Sequence, residues 1–301
     1  MKVLLTGAAG QLGQALIASC PEEVELISST RIGGTGLEAL DLADASDCRK
    51  AVEKHRPDWV LNAGAYTAVD KAESEPELAL AVNALAPAAF AKALQEQGGR
   101  LLQLSTDFVF NGQQGSPYRV DPPRDPLGVY GSTKAKGEEA VEGVFGSSGQ
   151  GLILRTSWVI GPVGKNFALT MLRLHREREQ LGVVADQVGC PSSTLNLATA
   201  CWRAVQLGSK HEQPLPPVLH WSDTGAASWF DVSVAIGELG LELGLLKRAA
   251  RVSPIQTSDY PTPAIRPGYS LLDCTNTRAA LGMEGQHWRQ ALRAVLEAIP
   301  N

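Results

Sequence analysis

The sequence predicts an α/β chain built on a doubly wound parallel sheet with a second, smaller domain, and three observations carry that prediction. A short apolar run at the amino terminus ends in a glycine-rich turn that opens a helix. Short apolar strands then alternate with helical stretches. Past Gly161 this rhythm weakens and proline-rich connections appear.

Lys2 to Thr6 reads as the first strand, Gly7-Ala8-Ala9-Gly10-Gln11-Leu12-Gly13 as the turn, and Gln14 to Ala18 as the helix that follows. In such a turn Gly7 permits the tight bend, Gly10 lets the backbone approach a diphosphate, and Gly13 allows close helix-to-strand packing, while the helix amino terminus attracts negative charge. Gly7, Gly10, Gln11, Leu12 and Gly13 are therefore candidate dinucleotide contacts. The spacing is G-x-x-G-x-x-G, and three glycines could also serve a purely structural turn. Further strands read at Val24 to Ser28, Trp59 to Asn62, Arg100 to Ser105 and Gly151 to Arg155, with Leu78 to Gln97 and Lys134 to Val144 the clearest helices between them. Ligands on such sheets bind beyond the carboxyl ends of the strands, where Gly7 to Gly13, Ser29 to Arg31, Ala63 to Tyr66 and Thr106 to Phe108 fall. After Gly161, prolines cluster at 214–217 and 254–267. Thr194 to Leu207 and Val218 to Ser222 are candidates for a returning helix and strand. The expected division is residues 1–160 plus about 193–224 for the dinucleotide, and about 161–192 plus 225–301 for the substrate.

A chain of 301 residues, 44% hydrophobic and 20% charged, can bury a full core. A net charge of −5 argues against a nucleic-acid surface, which needs a basic field, so any anionic ligand must be held by local donors. No run approaches eighteen consecutive apolar residues, and the opening apolar stretch meets Gly7 too soon for a signal-peptide core; a cytoplasmic location without a membrane is expected. The five cysteines (Cys20, Cys48, Cys190, Cys201, Cys274) are scattered, with no Cys-x-x-Cys, and read as reduced, buried thiols without structural zinc.

Tyr130-Gly131-Ser132-Thr133-Lys134 places a phenol and an ammonium at i and i+4, on one face of a helix. At roughly 4 Å and an effective dielectric of about 20 their attraction is about 4 kcal/mol, so Lys134 is expected to draw the Tyr130 pKa down by about three units. Alone, the pair reads as a surface helix whose Tyr and Lys happen to fall at this spacing; the rest of the chain overturns that reading.

Together with the glycine turn, Asn62-Ala63-Gly64-Ala65, Ser105-Thr106-Asp107 and Tyr130-x-x-x-Lys134 make the chain resemble the extended short-chain dehydrogenase/reductase family, whose nucleotide domain is a Rossmann fold. Narrower segments are similar to its dTDP-4-dehydrorhamnose reductase branch: Ala65-Tyr66-Thr67-Ala68-Val69-Asp70-Lys71-Ala72-Glu73, Ser105 to Phe110, Arg155-Thr156-Ser157-Trp158-Val159, Asp186-Gln187-x-Gly189-x-Pro191 and Arg266-Pro267-Gly268-Tyr269-Ser270-Leu271-Leu272-Asp273. They span residues 1 to about 273. The resemblance implies an oxidoreductase that reduces the 4-keto group of dTDP-4-dehydro-L-rhamnose to dTDP-L-rhamnose. Tyr130 is the implied proton donor, Lys134 its stabiliser and a ribose ligand, and Thr106 a third catalytic hydroxyl. It further implies cofactor contacts from Ala63, Gly64, Ala65, Asp41 and Leu42, and substrate contacts from Thr106, Asp107, Trp158, Trp229 and Arg266. Each has a plainer alternative: Thr106 and Asp107 as turn residues, the tryptophans as core, Arg266 as a solvated loop charge.

Two departures stand out. Phe108 occupies a position where this family often has tyrosine, making the pocket more apolar. The second strand ends Ser28-Ser29-Thr30-Arg31, without the acidic residue that an NAD-specific site places on the ribose. Arg31 with Ser29 or Thr30 could hold a 2′-phosphate, which favours NADPH and leaves NADH open. Some relatives use magnesium at dimer contacts; no carboxylate cluster here demands a metal, and a homodimer is left open. The expected partner is a dTDP-sugar. Two other readings stand beside this one: a different nucleotide-sugar 4-ketoreductase or epimerase, and a binding subunit like the regulatory subunit of methionine adenosyltransferase.

Overall fold

The structure, a computed structural model, describes residues 1–210 and 215–300. Pro214, at the start of the first proline-rich connection, lies outside the described residues. Seven strands build the main sheet: β1 (Lys2–Thr6), β2 (Glu25–Thr30), β3 (Glu38–Ala39), β4 (Trp59–Asn62), β5 (Arg100–Thr106), β6 (Gly151–Thr156) and β7 (Val218–Trp221). They lie in the order β7-β6-β5-β4-β1-β2-β3, and every pairing is parallel. This is the doubly wound Rossmann arrangement. The strand order reverses between β1 and β4, which pair Thr6 with Asn62, so the loops after these strands part and leave a crevice.

Side-chain alternation assigns each strand's residues to one of two cores. Val3, Leu5, Leu61 and Leu102 face α1 (Gln11–Ala18) and a helix at Thr194–Gly208. Leu4, Val60, Leu101 and Ile153 face α2 (Ala45–His55), α3 (Ala86–Gln97) and α4 (Val129–Phe145). A third apolar cluster, with Ile160, Leu172, Ile236, Leu239 and Leu292, joins helices α5 (Phe167–Glu177) and α7 (Trp229–Glu242), the Thr194–Gly208 helix between them being α6. We propose the same division into two domains, the second built on this cluster. Part of the 254–267 connection is not a connection: Pro254 sits in strand Arg251–Ile255, opposite Val183 of Gln180–Val184. That two-stranded ribbon is all edge, and an exposed edge tolerates the missing N–H.

Helix α4 starts five residues earlier than the pattern suggests, which places Tyr130 in its first turn. Gly128 is the extended residue before it, and Glu73 Oε1 accepts from Val129 N at 2.9 Å, satisfying one of the unpaired donors at the helix start. The stretch Pro76–Gln97 is long and apolar enough to cross a membrane by composition, yet half of it is buried against the sheet and its neighbours. A wide turn at Ala81–Leu85 interrupts it. Pro87 has no N–H to give the Asn83 carbonyl, and the ladder opens there. The released carbonyl presses on α4, where a Cβ at Gly137 would lie 2.1 Å from Asn83 O; only glycine fits. Asn83's side chain accepts from Tyr66 N (2.9 Å) and donates to Tyr66 O (3.0 Å) and Thr133 Oγ1 (3.2 Å), tying the loop after β4 to α4.

A buried histidine makes stability pH-dependent. His220 Nε2 lies 3.3 Å from Arg155 Nη1, which can only donate, so Nδ1 carries the proton and donates to Tyr118 O at 3.1 Å. Burial, then the Arg155 cation, push its pKa down to about 4. Because the unfolded chain binds this proton more readily, the contribution is fully present above the unfolded pKa and is lost as pH falls from about 6.5 towards 4. Urea unfolding at pH 7 and 4.5 should differ by up to about 3 kcal/mol from this group. His220→Gln should flatten the dependence, and an unchanged slope in the variant would refute the assignment.

Candidate active site

A cleft of about 860 Å³ opens at the carboxyl ends of β1, β4, β5 and β6, and every site residue named from the sequence except Ser29 lines it. At one end lies a backbone cradle. Gly7 has φ +69°, and a Cβ there would sit 2.7 Å from Gly64 Cα; a Cβ at Gly13 would sit 2.1 Å from Gly7 O. Thr6 Oγ1 donates to Asn62 Oδ1 (2.5 Å) and accepts from Gly64 N (3.0 Å), so the loops after β1 and β4 are stitched together. Helix α1 begins after Gly10 with no side-chain cap and no acidic residue in its first turn, leaving its N–H groups to the cleft. This uncapped terminus over a glycine floor fits a dinucleotide diphosphate.

Beyond the cradle, Thr30, Arg31, Asp41 and Leu42 line the wall. Arg31 Nε stands 3.3 Å from Asp41 Oδ2, and the Arg31 side chain is 73% exposed, held at the rim by a solvent-screened pair. Ser29 is a correction: it is buried and its hydroxyl donates to Leu5 O at 3.0 Å, because alternation along β2 turns it inward, so it cannot reach a phosphate. Thr30 and Arg31 remain.

At the other end Thr106, Asp107, Tyr130 and Lys134 converge. Thr106 is the last residue of β5 and caps the short turn Asp107–Val109, accepting from Phe108 N at 3.2 Å and donating to Asp107 Oδ1 at 3.0 Å. The Phe108 ring meets Tyr130 edge-on at 5.6 Å. The expected depression of the Tyr130 pKa is reversed. Burial pushes it up to about 12, the Thr106 hydroxyl opposes, and Asp107 adds to the rise. Lys134 does not offset this because its ammonium donates to Leu104 O at 2.6 Å, and burial pushes its own pKa down to about 8 against the pull of Glu138. Tyr130 thus holds its proton throughout the neutral range. Asp107 is 1% exposed; burial raises its pKa to about 6 against the opposing influence of the Ser270 and Thr106 hydroxyls, and its Oδ2 has no partner.

Trp158 adopts φ +45°, rare for a bulky residue and concentrated at functional positions. Its indole stacks on Trp229 at 3.7 Å and 11°, and lies where a Cβ at Gly189 would be 2.8 Å away. Both tryptophans are half-buried cleft walls. Arg266 is no solvated loop charge: it forms a two-pronged pair with Asp70 (2.8 and 3.0 Å), with Thr262 Oγ1 and Ala264 O completing its acceptors, and still borders the cleft.

Sequence reasoning missed Lys165 and Asn166, which also line the cleft. Asn166 caps α5 through Leu169 N and donates to Gln11 Oε1 at 2.8 Å, tying the start of α5 to the glycine turn. An Asn ahead of an apolar helix was the available signal. Among the described residues, no group of three His, Cys, Asp or Glu could hold a metal ion.

The model for the RmlD substrate binding domain matches residues 1–300. A Streptomyces griseus protein named dTDP-4-dehydrorhamnose reductase is 40% identical over 299 residues, 98% of this chain and 93% of that one. A Clostridium acetobutylicum dTDP-4-dehydrorhamnose reductase structure superposes with a TM-score of 0.87 at 32% identity, covering 99% of both chains. A Bacillus anthracis enzyme of that name, solved in complex with NADP, gives 0.87 at 31% identity and 98% of both.

Proposed function

The chain belongs to the dTDP-4-dehydrorhamnose reductase family, and from that membership we propose that its cleft reduces the 4-keto group of dTDP-4-dehydro-L-rhamnose, with Tyr130 as the proton donor. The protein is an NADP-dependent oxidoreductase. The observation that carries the finer reading is the convergence of Thr106, Tyr130 and Lys134 in the cleft that also holds the glycine cradle.

When bound, NADPH supplies a hydride to the carbonyl carbon. The chain's own residues do the rest. Gly7, Gly10, Gln11, Leu12 and Gly13 would hold the diphosphate, Ala63, Gly64 and Ala65 the adjoining backbone path, and Asp41 and Leu42 the adenine. Arg31 would meet the 2′-phosphate, and its exposure and pairing with Asp41 leave room for NADH as well. Tyr130 keeps a proton at neutral pH and delivers it to the oxygen that becomes an alkoxide. Thr106 orients that oxygen and the phenol. Lys134 places a positive charge behind the phenolate that forms and would bond the nicotinamide ribose. Trp158 and Trp229 give the sugar nucleotide an aromatic wall; Arg266, oriented by Asp70, faces its diphosphate.

The test is NADPH oxidation at 340 nm with dTDP-4-dehydro-L-rhamnose generated in situ, run beside NADH and beside a UDP-linked 4-keto sugar. Turnover with the dTDP substrate, faster with NADPH, is expected. Folded protein that binds NADPH but does not oxidise it with this substrate would sink the proposal.

A further inference from the structure

We propose that Lys165 supplies the full positive charge that the glycine cradle lacks and pairs with the diphosphate of the bound dinucleotide; this rests on the cradle being the cofactor's diphosphate site. Five cationic side chains line the cleft: Arg31, Lys71, Lys134, Lys165 and Arg266. Four of them are committed to acceptors of the chain itself. Arg31 stands 3.3 Å from Asp41 Oδ2, Lys71 lies 2.7 Å from Glu75 Oε1, Arg266 grips Asp70, and the Lys134 ammonium donates to Leu104 O at 2.6 Å. Lys165, exposed at the cleft, has no ion-pair partner among the described residues.

Contacts with the start of α1 set its place. Asn166, the next residue, donates to Gln11 Oε1 at 2.8 Å and to Gly161 O at 2.9 Å, while its own Oδ1 accepts from Leu169 N at 3.0 Å. Gly164, the residue before, runs so close that a Cβ on it would lie 3.1 Å from Gln11 Cγ, and Lys165 O accepts from Gln11 Nε2 at 3.4 Å. Lys165 is thus bracketed by residues packed on Gln11, the first residue of α1. From there its flexible four-carbon stem can carry an ammonium to an anion on the uncapped helix terminus. The local charges favour that pairing. Neither 7–13 nor 161–166 contains an acidic residue, so no carboxylate of these segments competes for the ammonium. Backbone donors at a helix start offer only about half an elementary charge, whereas a diphosphate carries whole ones. The chain's net charge of −5 adds no general attraction for an anion.

Titration calorimetry on the full chain tests the assignment. In Lys165→Met, which keeps the stem and removes the charge, the Kd of NADPH should rise about tenfold, the effect of one charge-assisted hydrogen bond. NADH should weaken by the same factor because it carries the same diphosphate, and dTDP should bind both proteins alike. Added salt should weaken NADPH binding more steeply in wild type than in the variant, since the variant has one charge pair fewer to screen. Lys165→Arg should bind NADPH nearly as wild type does. The unliganded variants should melt at the wild-type temperature, because an exposed side chain supports no packing. Equal NADPH affinity in wild type and Lys165→Met would overturn the proposal while leaving the reductase reading to the 340 nm assay. A loss for NADPH without one for NADH would overturn it too, placing the ammonium on the 2′-phosphate. A loss for dTDP alone would do the same, placing it on the sugar nucleotide. If wild type binds neither dinucleotide, the cradle reading fails before Lys165 is reached.

Discussion

Replacing Tyr130 by phenylalanine is expected to lower kcat by about 10²- to 10⁴-fold, the range over which a positioned general acid contributes, while NADPH affinity stays within about threefold. The change removes one oxygen. It leaves the ring that packs edge-on against Phe108 and the backbone that starts α4, so the glycine cradle at the far end of the cleft is untouched. The loss should therefore appear in kcat and kcat/KM alike, as for an interaction made only in the transition state. Burial works in favour of this role. A phenol pushed up to about 12 is fully protonated at pH 7, and its proton becomes transferable when hydride addition creates an alkoxide of still higher basicity beside it. Rapid-mixing measurement of the 340 nm decay in wild type and variant decides the matter; a kcat within tenfold of wild type would assign the proton to another group.

Much of this was legible in the sequence, for reasons that differ by element. The first, fourth, fifth and sixth strands are buried on both faces, so they read as apolar runs, interrupted only by Gln103 in the fifth, that stop at glycine or polar residues. The glycine turn is legible because only glycine meets its contacts: Gly7 and Gly13 are fixed by approaches of 2.7 and 2.1 Å. What stayed hidden depends on side-chain direction in three dimensions. Nothing in Tyr130-x-x-x-Lys134 says that the ammonium turns to Leu104 O, and without that the direction of the Tyr130 shift came out reversed. Ser29 lies in β2 and Arg31 in the turn just past its end, so the hydroxyl is committed to the Leu5 carbonyl while the guanidinium reaches the rim. The proposed second domain was the least legible because its helices bury faces against one another rather than against a sheet, and its strands are two to five residues long. Asn166 and Lys165 reach the cleft from the loop before α5, whose Gly161 and Gly164 lack the third glycine of the first turn.

Breaking the buried charge cluster beneath α4 is expected to cost about 3–5 kcal/mol, the usual penalty for leaving one partner of a buried pair uncompensated. Glu138 follows Lys134 by one turn of α4 and is fully buried. Its carboxylate accepts from Arg155 Nη2 at 2.7 Å and Nε at 3.0 Å, from Arg124 Nε at 2.6 Å and from the Ser105 hydroxyl; Arg155 is itself 2% exposed. Burial alone would protonate it, but Arg155 foremost holds its pKa below the ordinary carboxylate value. Stability from this group is thus present above the unfolded pKa and is lost as pH falls below it. Glu138→Gln keeps the shape and removes the charge, stranding Arg155 between Phe110 and His220, neither of which can neutralise it. Urea unfolding should show the full loss for this single change, and the double variant Glu138→Gln/Arg155→Met should recover part of it because no lone charge remains. The cluster also fixes the site: Ser105 precedes Thr106 on β5, Arg155 lies on β6 three residues before Trp158, and Glu138 joins both to the helix that carries Tyr130 and Lys134. Loosening it should lower kcat more than it raises KM, since the distances among Thr106, Tyr130 and Lys134 shift before the cradle does. A single variant that loses less than about 1 kcal/mol would place the cluster with ordinary surface pairs and remove this link between the core and the chemistry.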